Sequence, residues 1–270
     1  MKVIEDSGNY LEKNLRKSQI IFTINLAIFL SLYISSIKLL PFYLNLGNLN
    51  DTRVALYFAS AIIAFFYYRR YKGYRKGIEG EKTVTKYLKS FESLNAYTML
   101  NNFTPDDDNI SNIDHVVLGP NGIFVIETKN YSTNKISFDR DAMTLVNKGK
   151  EIRAKSPCGR TRWNAIRIQE TIKNSKKSIN SRSPWVQGVL VFTQNDVKLE
   201  VSNLNNPIVV KLDELPNLLL TFSRGQRLSP EELKNLEEVL IEANVSRYFS
   251  LSERLFEILT ELWNPELKRY

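Results

Sequence analysis

Residues 112–130 read NIDHVVLGPNGIFVIETKN, and the fold turns on this stretch. Two runs rich in Val, Ile and Phe flank Gly119-Pro120-Asn121-Gly122, which predicts an antiparallel hairpin with Pro120 and Asn121 at its tip. In that register Leu118 faces Ile123, Val116 faces Val125 and Asp114 faces Glu127. Strand side chains alternate between faces, so Lys129 shares the face of Glu127 while His115 points to the other side. His115 is the chain's single histidine and is read as structural.

Like charges directly opposed on neighbouring strands destabilise a sheet. A divalent cation held between Asp114 and Glu127 removes that penalty, and hard oxygen ligands suit Mg²⁺, with Mn²⁺ as the alternative. Lys129 beside them is placed to order or deprotonate an attacking water, or to neutralise charge on a pentavalent phosphorus. A cluster of solvated charges at a strand end would leave the same pattern.

Upstream, Val84, Leu88 and Phe91 recur at helical spacing and predict a helix over residues 77–91. Glu81 points along the face that enters the core, where a lone acid is costly unless paired or bound to a cation. The alternative puts it in the first turn, where an acid suits the helix dipole. A strand is expected over 96–103, followed by an acidic loop, Asp106-Asp107-Asp108, read as a solvated turn. Downstream, residues 136–152 predict another hairpin turning at Lys148-Gly149, and residues 162–176 a helix. Ala165, Ile168 and Ile172 form the stripe of that helix, and Gln169 at its edge is placed to point inward. Buried strands are expected over 185–193 and 207–212. Ser229-Pro230-Glu231-Glu232 supplies a serine N-cap, a proline at the first helical position and acids in the first turn. That helix and a final one over 252–263 would pack on the sheet.

The run IDHVVLGPNGIFVIETKNY at residues 113–131, preceded by GIEGEK at residues 77–82, resembles the nuclease-related domain (NERD) family of the PD-(D/E)XK superfamily of metal-dependent nucleases. The likeness extends from about Gly77 to Phe192. It implies an α/β fold (α+β, with a mixed sheet) built on a restriction-endonuclease-like αβββαβ core. Carried over residue by residue, it implies that Glu81 is the family's helix acid and that Asp114 and Glu127 are its metal ligands. Lys129 then corresponds to the catalytic lysine and Gln169 to a later glutamine, with Glu81 and Gln169 completing the shell directly or through water. The proline of the superfamily's name is absent, since Ile113 precedes Asp114.

Composition narrows the chemistry further. The chain has 270 residues, 37 Lys+Arg, 29 Asp+Glu, one His and one Cys, for a net charge of +8. A disulfide framework, a multi-cysteine zinc site and two-histidine metal motifs are thereby excluded within the chain. Cys158, without a partner histidine, is a poor nucleophile. The chemistry falls to carboxylates, a lysine and a hard metal ion. Residues 148–182 hold eleven basic residues against Glu151 and Glu170, a net +9 that exceeds the excess of the whole chain. Within this segment Lys155, Arg160, Arg162, Arg167, Lys173, Lys176 and Lys177 are expected to hold nucleic-acid phosphates, DNA foremost with RNA open. Trp163 among them either stacks on an unpaired base or packs inward.

The N-terminal part reads as a membrane anchor. Residues 20–37 (IIFTINLAIFLSLYISSI) carry no charge, and residues 54–68 (VALYFASAIIAFFYY) form a second apolar run. A bilayer core of roughly 30 Å takes about 20 such residues in a helix, so an N-terminal transmembrane helical hairpin is expected. Lys13, Arg16 and Lys17 precede it, and Arg69, Arg70, Lys72, Arg75 and Lys76 follow without an acid. Both ends then face the cytoplasm, at a cell membrane spanned twice, and the second basic run meets anionic head groups of the lipid bilayer. The expected organisation is an anchor over 1–76, a nuclease-like domain over 77–225 and C-terminal helices over 226–270. Three readings follow: a membrane-anchored Mg²⁺-dependent nuclease, a non-cutting nucleic-acid tether of the same fold, and a membrane scaffold. A homo-oligomer or a partner protein is compatible with each. The intact Glu127-x-Lys129 favours the first.

Overall fold

The computed structural model describes residues 1–5, 10–43, 47–104, 112–175, 184–222, 224 and 227–244. The acidic loop at 106–108, Lys176, Lys177 and the helix expected over 252–263 lie outside the described residues. In chain order the first half is β1 (Lys2–Glu5), α1 (Tyr10–Tyr43), α2 (Gly47–Lys89), β2 (Thr98–Phe103), β3 (Ile113–Gly119) and β4 (Gly122–Lys129). Then come β5 (Lys135–Asp139), β6 (Ala142–Asn147), β7 (Lys150–Ala154), α3 (Cys158–Asn174), β8 (Val186–Phe192) and β9 (Lys198–Ser202). The described part closes with β10 (Ile208–Lys211), α4 (Leu215–Thr221) and a helix over 230–244, α5.

The central hairpin forms in the register its turn dictates, with Leu118 opposite Ile123 and Val116 opposite Val125. It sits inside a six-stranded mixed sheet of order β1-β2-β3-β4-β8-β10. β2, β3 and β4 run antiparallel, while β8 is parallel to β4 and to β10. Nearly every residue of β3, β4 and β8 is buried, because helices cover both faces of the sheet. On one face Val84 and Leu88 of α2 and Leu215 and Leu219 of α4 pack on Val117, Phe124 and Ile126. On the other, Ala165, Ile168 and Ile172 of α3 and Leu236 and Leu240 of α5 pack on Val116, Leu118, Ile123 and Val125. The mixed α/β architecture agrees with expectation. α5 starts in the expected way: Glu232 N–H donates to Ser229 Oγ at 3.2 Å, and Ser229 N–H donates to Glu232 Oε2 at 2.8 Å.

Several expectations change. β1 joins the sheet parallel to β2, so residues 2–5 belong with the domain rather than with an anchor over 1–76. The chain divides into two compact units, Gly8–Glu79 and a second formed by Met1–Ser7 with Gly80–Tyr270. α2 runs without a break from Gly47 to Lys89, so no helix starts at Gly77, and Glu81 lies deep inside a helix instead of in its first turn. Residues 135–154 form two successive hairpins, with an extra turn at Arg140-Asp141. They pair with β9 into a separate four-stranded sheet of order β7-β6-β5-β9, whose Ile136, Phe138 and Met143 pack on Leu190 and Phe192.

The transmembrane hairpin is not supported. Among the described residues no helix is long and apolar enough to cross a membrane. Thr23 and Asn25 interrupt the first run, and their side chains donate to the carbonyls of Gln19 and Ile21 one turn back. Side chains over 32–55 lie outside the described residues. Within the Gly8–Glu79 unit Phe22 packs on Tyr68, while Ile20, Ile24, Leu56, Phe58, Phe65 and Phe66 remain exposed. Arg69 stands over the Phe65 ring and Lys72 over the Tyr68 ring.

One close approach fixes the hairpin tip. A Cβ on Gly119 would fall inside the Tyr97 ring, whose hydroxyl donates to the Leu219 carbonyl at 2.9 Å. Gly119→Ala must expel that ring from the core, and a loss of about 2–4 kcal/mol is expected in urea denaturation, in line with overpacking plus a lost buried hydrogen bond. A variant as stable as the parent would mean that Tyr97 is not held there.

Candidate active site

Asp114 and Glu127 reach the same end of the hairpin, where β3 and β4 separate. The ladder stops at His115 opposite Ile126, one residue short of the two acids. There the Thr128 amide donates to Asp114 Oδ2 at 2.7 Å, so a carboxylate takes over from the backbone ladder. Glu127 is only 2 % exposed. Lys129 Nζ donates to its Oε1 at 2.6 Å, and Arg160 Nε stands 3.7 Å from its Oε2. The Arg160 guanidinium is anchored by Nη2, which donates to the Asn112 carbonyl at 3.2 Å.

Electrostatics follow from this packing. Burial, reinforced by the Glu127 charge, pushes Asp114 up to about 7 against the pull of Lys129, the Thr128 amide and Arg160. Burial works against the charge on Lys129, but Glu127 and Asp114 outweigh it and hold the amine above its ordinary value. Lys129 is therefore a firm cation here, suited to orienting water or neutralising a phosphate and not to taking up a proton. Asp114, Glu127 and Lys129 thus assemble as the hairpin register requires.

The remaining sequence candidates fall in different places. Glu81 is buried at 8 % exposure on α2. A Cβ on its neighbour Gly80 would lie 3.1 Å from Asn130 Cβ and 3.3 Å from Thr128 Cγ2, so the helix meets the end of β4 from the side opposite the acid pair. Among the described residues no three His, Cys, Asp or Glu side chains gather as a metal cage. Gln169 is half-buried, nine residues past Arg160 on α3, hence roughly 13 Å along the axis and on the opposite side of the helix. The structure does not bring it to the carboxylates. Arg160 occupies that end of α3 instead, in the first turn. The helix begins at Cys158, four residues before the expected start, with the Cys158 amide donating to Ser156 Oγ at 3.3 Å. The Ser156-Pro157 pair was the available signal for that start.

Of the other expected phosphate-binding residues, Arg162 is engaged elsewhere. It grips Asp141 with two bonds of 2.7 Å and donates to the Asn206 carbonyl at 2.8 Å. Arg167 lies 4.5 Å over the Trp163 ring, and that ring is 39 % exposed. Lys155 and Lys173 are exposed, as are Lys148, Lys150 and Arg153 at the β6–β7 turn and along β7. His115 is buried on the α2 side, 2.7 Å from Asn101 Oδ1, and burial pushes it down to about 3. It is neutral and structural, as expected. A cavity of about 620 Å³ at the hairpin tip, lined by Lys2, Thr98, Pro120 and Arg227 among others, includes none of these residues.

The two shifted groups give a pH test. Asp114 keeps its proton to about pH 7 when folded but to about 3.9 when unfolded, so its contribution to stability is lost as pH rises through that window. His115 takes its proton near pH 3 when folded but near 6.5 when unfolded, so its contribution is lost as pH falls. Between about pH 4 and 6.5 the two slopes oppose each other. In Asp114→Asn only the histidine slope remains, and stability should fall by about 1 kcal/mol per pH unit on acidification, read from urea midpoints. Parallel curves for variant and parent would show that Asp114 is not shifted.

Compared with known families, residues 76–193 match NERD, the nuclease-related domain. No curated protein and no solved structure matches the chain.

Proposed function

We propose, from the premise that residues 76–193 are a nuclease-related domain, that the chain is a metal-dependent nuclease hydrolysing phosphodiester bonds, with DNA as its foremost substrate. The observation that carries this is the pair of carboxylates at one strand end with a cationic lysine bonded to one of them at 2.6 Å. Burial, with the Glu127 charge beside it, raises Asp114 to about 7, and a hard divalent cation would favour its ionised form. The donor set therefore fits Mg²⁺ or Mn²⁺, which Asp114 and Glu127 would hold. Such an ion supplies a water of lowered pKa and neutralises charge at phosphorus. Lys129 orients that water or meets a phosphate oxygen as a cation.

The exposed cations Lys148, Lys150, Arg153 and Lys155, with Lys173 and the Trp163–Arg167 pair on α3, support a grip on the polynucleotide backbone and its bases. The exposed Ile20, Ile24, Phe58, Phe65 and Phe66, next to Arg69 and Lys72, support attachment to an anionic lipid surface. Flotation of the full chain with vesicles containing phosphatidylserine is expected, and a chain left at the bottom of the gradient would remove the membrane from the reading.

The nuclease reading is tested on the full chain with linear, circular and single-stranded DNA, and RNA, under Mg²⁺, Mn²⁺ or chelator. Products should appear only with metal, and Glu127→Gln and Lys129→Ala should each lower the rate by about 10³-fold or more. Salt-sensitive binding without product under any metal would leave a tether. Cleavage untouched by both substitutions would place the chemistry elsewhere.

A further inference from the structure

We propose that Arg160 is a catalytic residue of this site, taking a non-bridging oxygen of the scissile phosphate when a divalent cation occupies Glu127; the proposal rests on the nuclease reading above. Arg160 Nε lies 3.7 Å from Glu127 Oε2, beyond the roughly 2.7–3.2 Å of a hydrogen bond, so the guanidinium is attracted to the acid without being bonded to it. Its bond to the Asn112 carbonyl uses one of five N–H donors and fixes the group two residues from Asp114. The side chain is 43 % exposed, so the other donors are open to a ligand.

The neighbouring cations are committed. Lys129 is bonded to the other Glu127 oxygen, Arg162 is clamped on Asp141 and Arg167 is stacked on Trp163. Arg160 is the α3 cation that faces the acid pair and stays available.

Charge balance gives the reason for a second cation. With Asp114 and Glu127 both ionised, as a bound divalent ion would hold them, Lys129 and Arg160 balance the pair and the ion makes the site doubly positive. A phosphodiester and an attacking hydroxide bring two negative charges and restore neutrality. Without Arg160 the loaded site falls one charge short as the extra negative charge develops on the phosphate oxygens. A planar guanidinium matches two such oxygens at once, which a lysine cannot do. Arg160 moves no proton. The water oxygen bonds to phosphorus, the bond from phosphorus to the leaving oxygen breaks with its electron pair on that oxygen, and the hydrogen given up by water ends there.

The test uses the full chain carrying Arg160→Ala or Arg160→Lys, with three readouts: single-turnover cleavage, Mn²⁺ binding without DNA, and binding of a short DNA oligonucleotide in Ca²⁺. Cleavage by Arg160→Ala should fall about 10²-fold, oligonucleotide binding should weaken several-fold, and Mn²⁺ affinity should hold or tighten, since a competing cation is gone. Arg160→Lys should recover part of the rate. Wild-type cleavage in Arg160→Ala, or a rate loss cured by saturating Mn²⁺, would overturn the assignment. Should Arg160→Ala lose its helical circular dichroism, Arg160→Gln replaces it and is judged by the same readouts. A parent that cuts nothing under any metal would defeat the nuclease reading. Arg160 is then judged on oligonucleotide affinity alone, and equal binding by parent and variant would overturn it.

Discussion

The burial of Glu127 beside Asp114 is the constraint that the rest of the domain serves. Removing two like charges from water costs several kcal/mol each unless opposite charge and hydrogen bonds reach them. Lys129 arrives from the same strand, the Thr128 amide from the residue between, and Arg160 from the first turn of α3. The first two are consequences of strand geometry alone. The third needs the antiparallel seating of α3 on the sheet, which Gly188 permits. A Cβ there would come within 3.3 Å of both the Thr161 side chain and the Thr161 carbonyl. A tighter contact at Gly188 would lift the helix and with it the cation that faces Glu127.

The sheet also separates its polar groups by face. Asp114, Glu127 and Lys129 share the face covered by α3, while His115 joins Asn101 and Thr85 toward α2. A one-residue slip of the hairpin would exchange the two sets. The apolar alternation forbids that slip, because Val116, Leu118, Ile123 and Val125 would leave one core and enter the other. Packing energy thus specifies which charged groups meet, although none of those apolar residues touches the chemistry.

What was legible in the sequence was local. The hairpin register follows from a turn of defined type flanked by alternating residues, and that register is enough to pair Asp114 with Glu127. The α5 cap follows from Ser229 and Glu232 in the same way. Features set by distant partners were not legible. β1 is a strand because β2 offers it an edge, and nothing within residues 2–5 announces that. Gly73, Gly77 and Gly80 look like breaks in α2, yet a helical glycine costs only about 1 kcal/mol, and the helix continues through all three. The Arg140-Asp141 turn carries no Gly, Pro or Asn, and Arg140 adopts a φ of 51° there. A helix begun at 162 leaves Arg160 outside it, whereas α3 begins at Cys158 and carries Arg160 in its first turn, with Gln169 on the opposite side of the helix.

On the nuclease reading, the same charge arrangement would separate folding from metal binding. Carboxylates that depend on a metal for neutrality leave a domain unfolded without it. Here Lys129 and Arg160 already offset the pair, so the sheet end is tolerable before any ion arrives. Lys129 on Oε1 and Arg160 near Oε2 would then compete with any cation that Glu127 came to hold. Displaced in that way, the two groups would be placed to follow the negative charge to a phosphate. A site that gains positive charge on loading would attract a polyanion more strongly in that state, which would couple substrate capture to the presence of the ion.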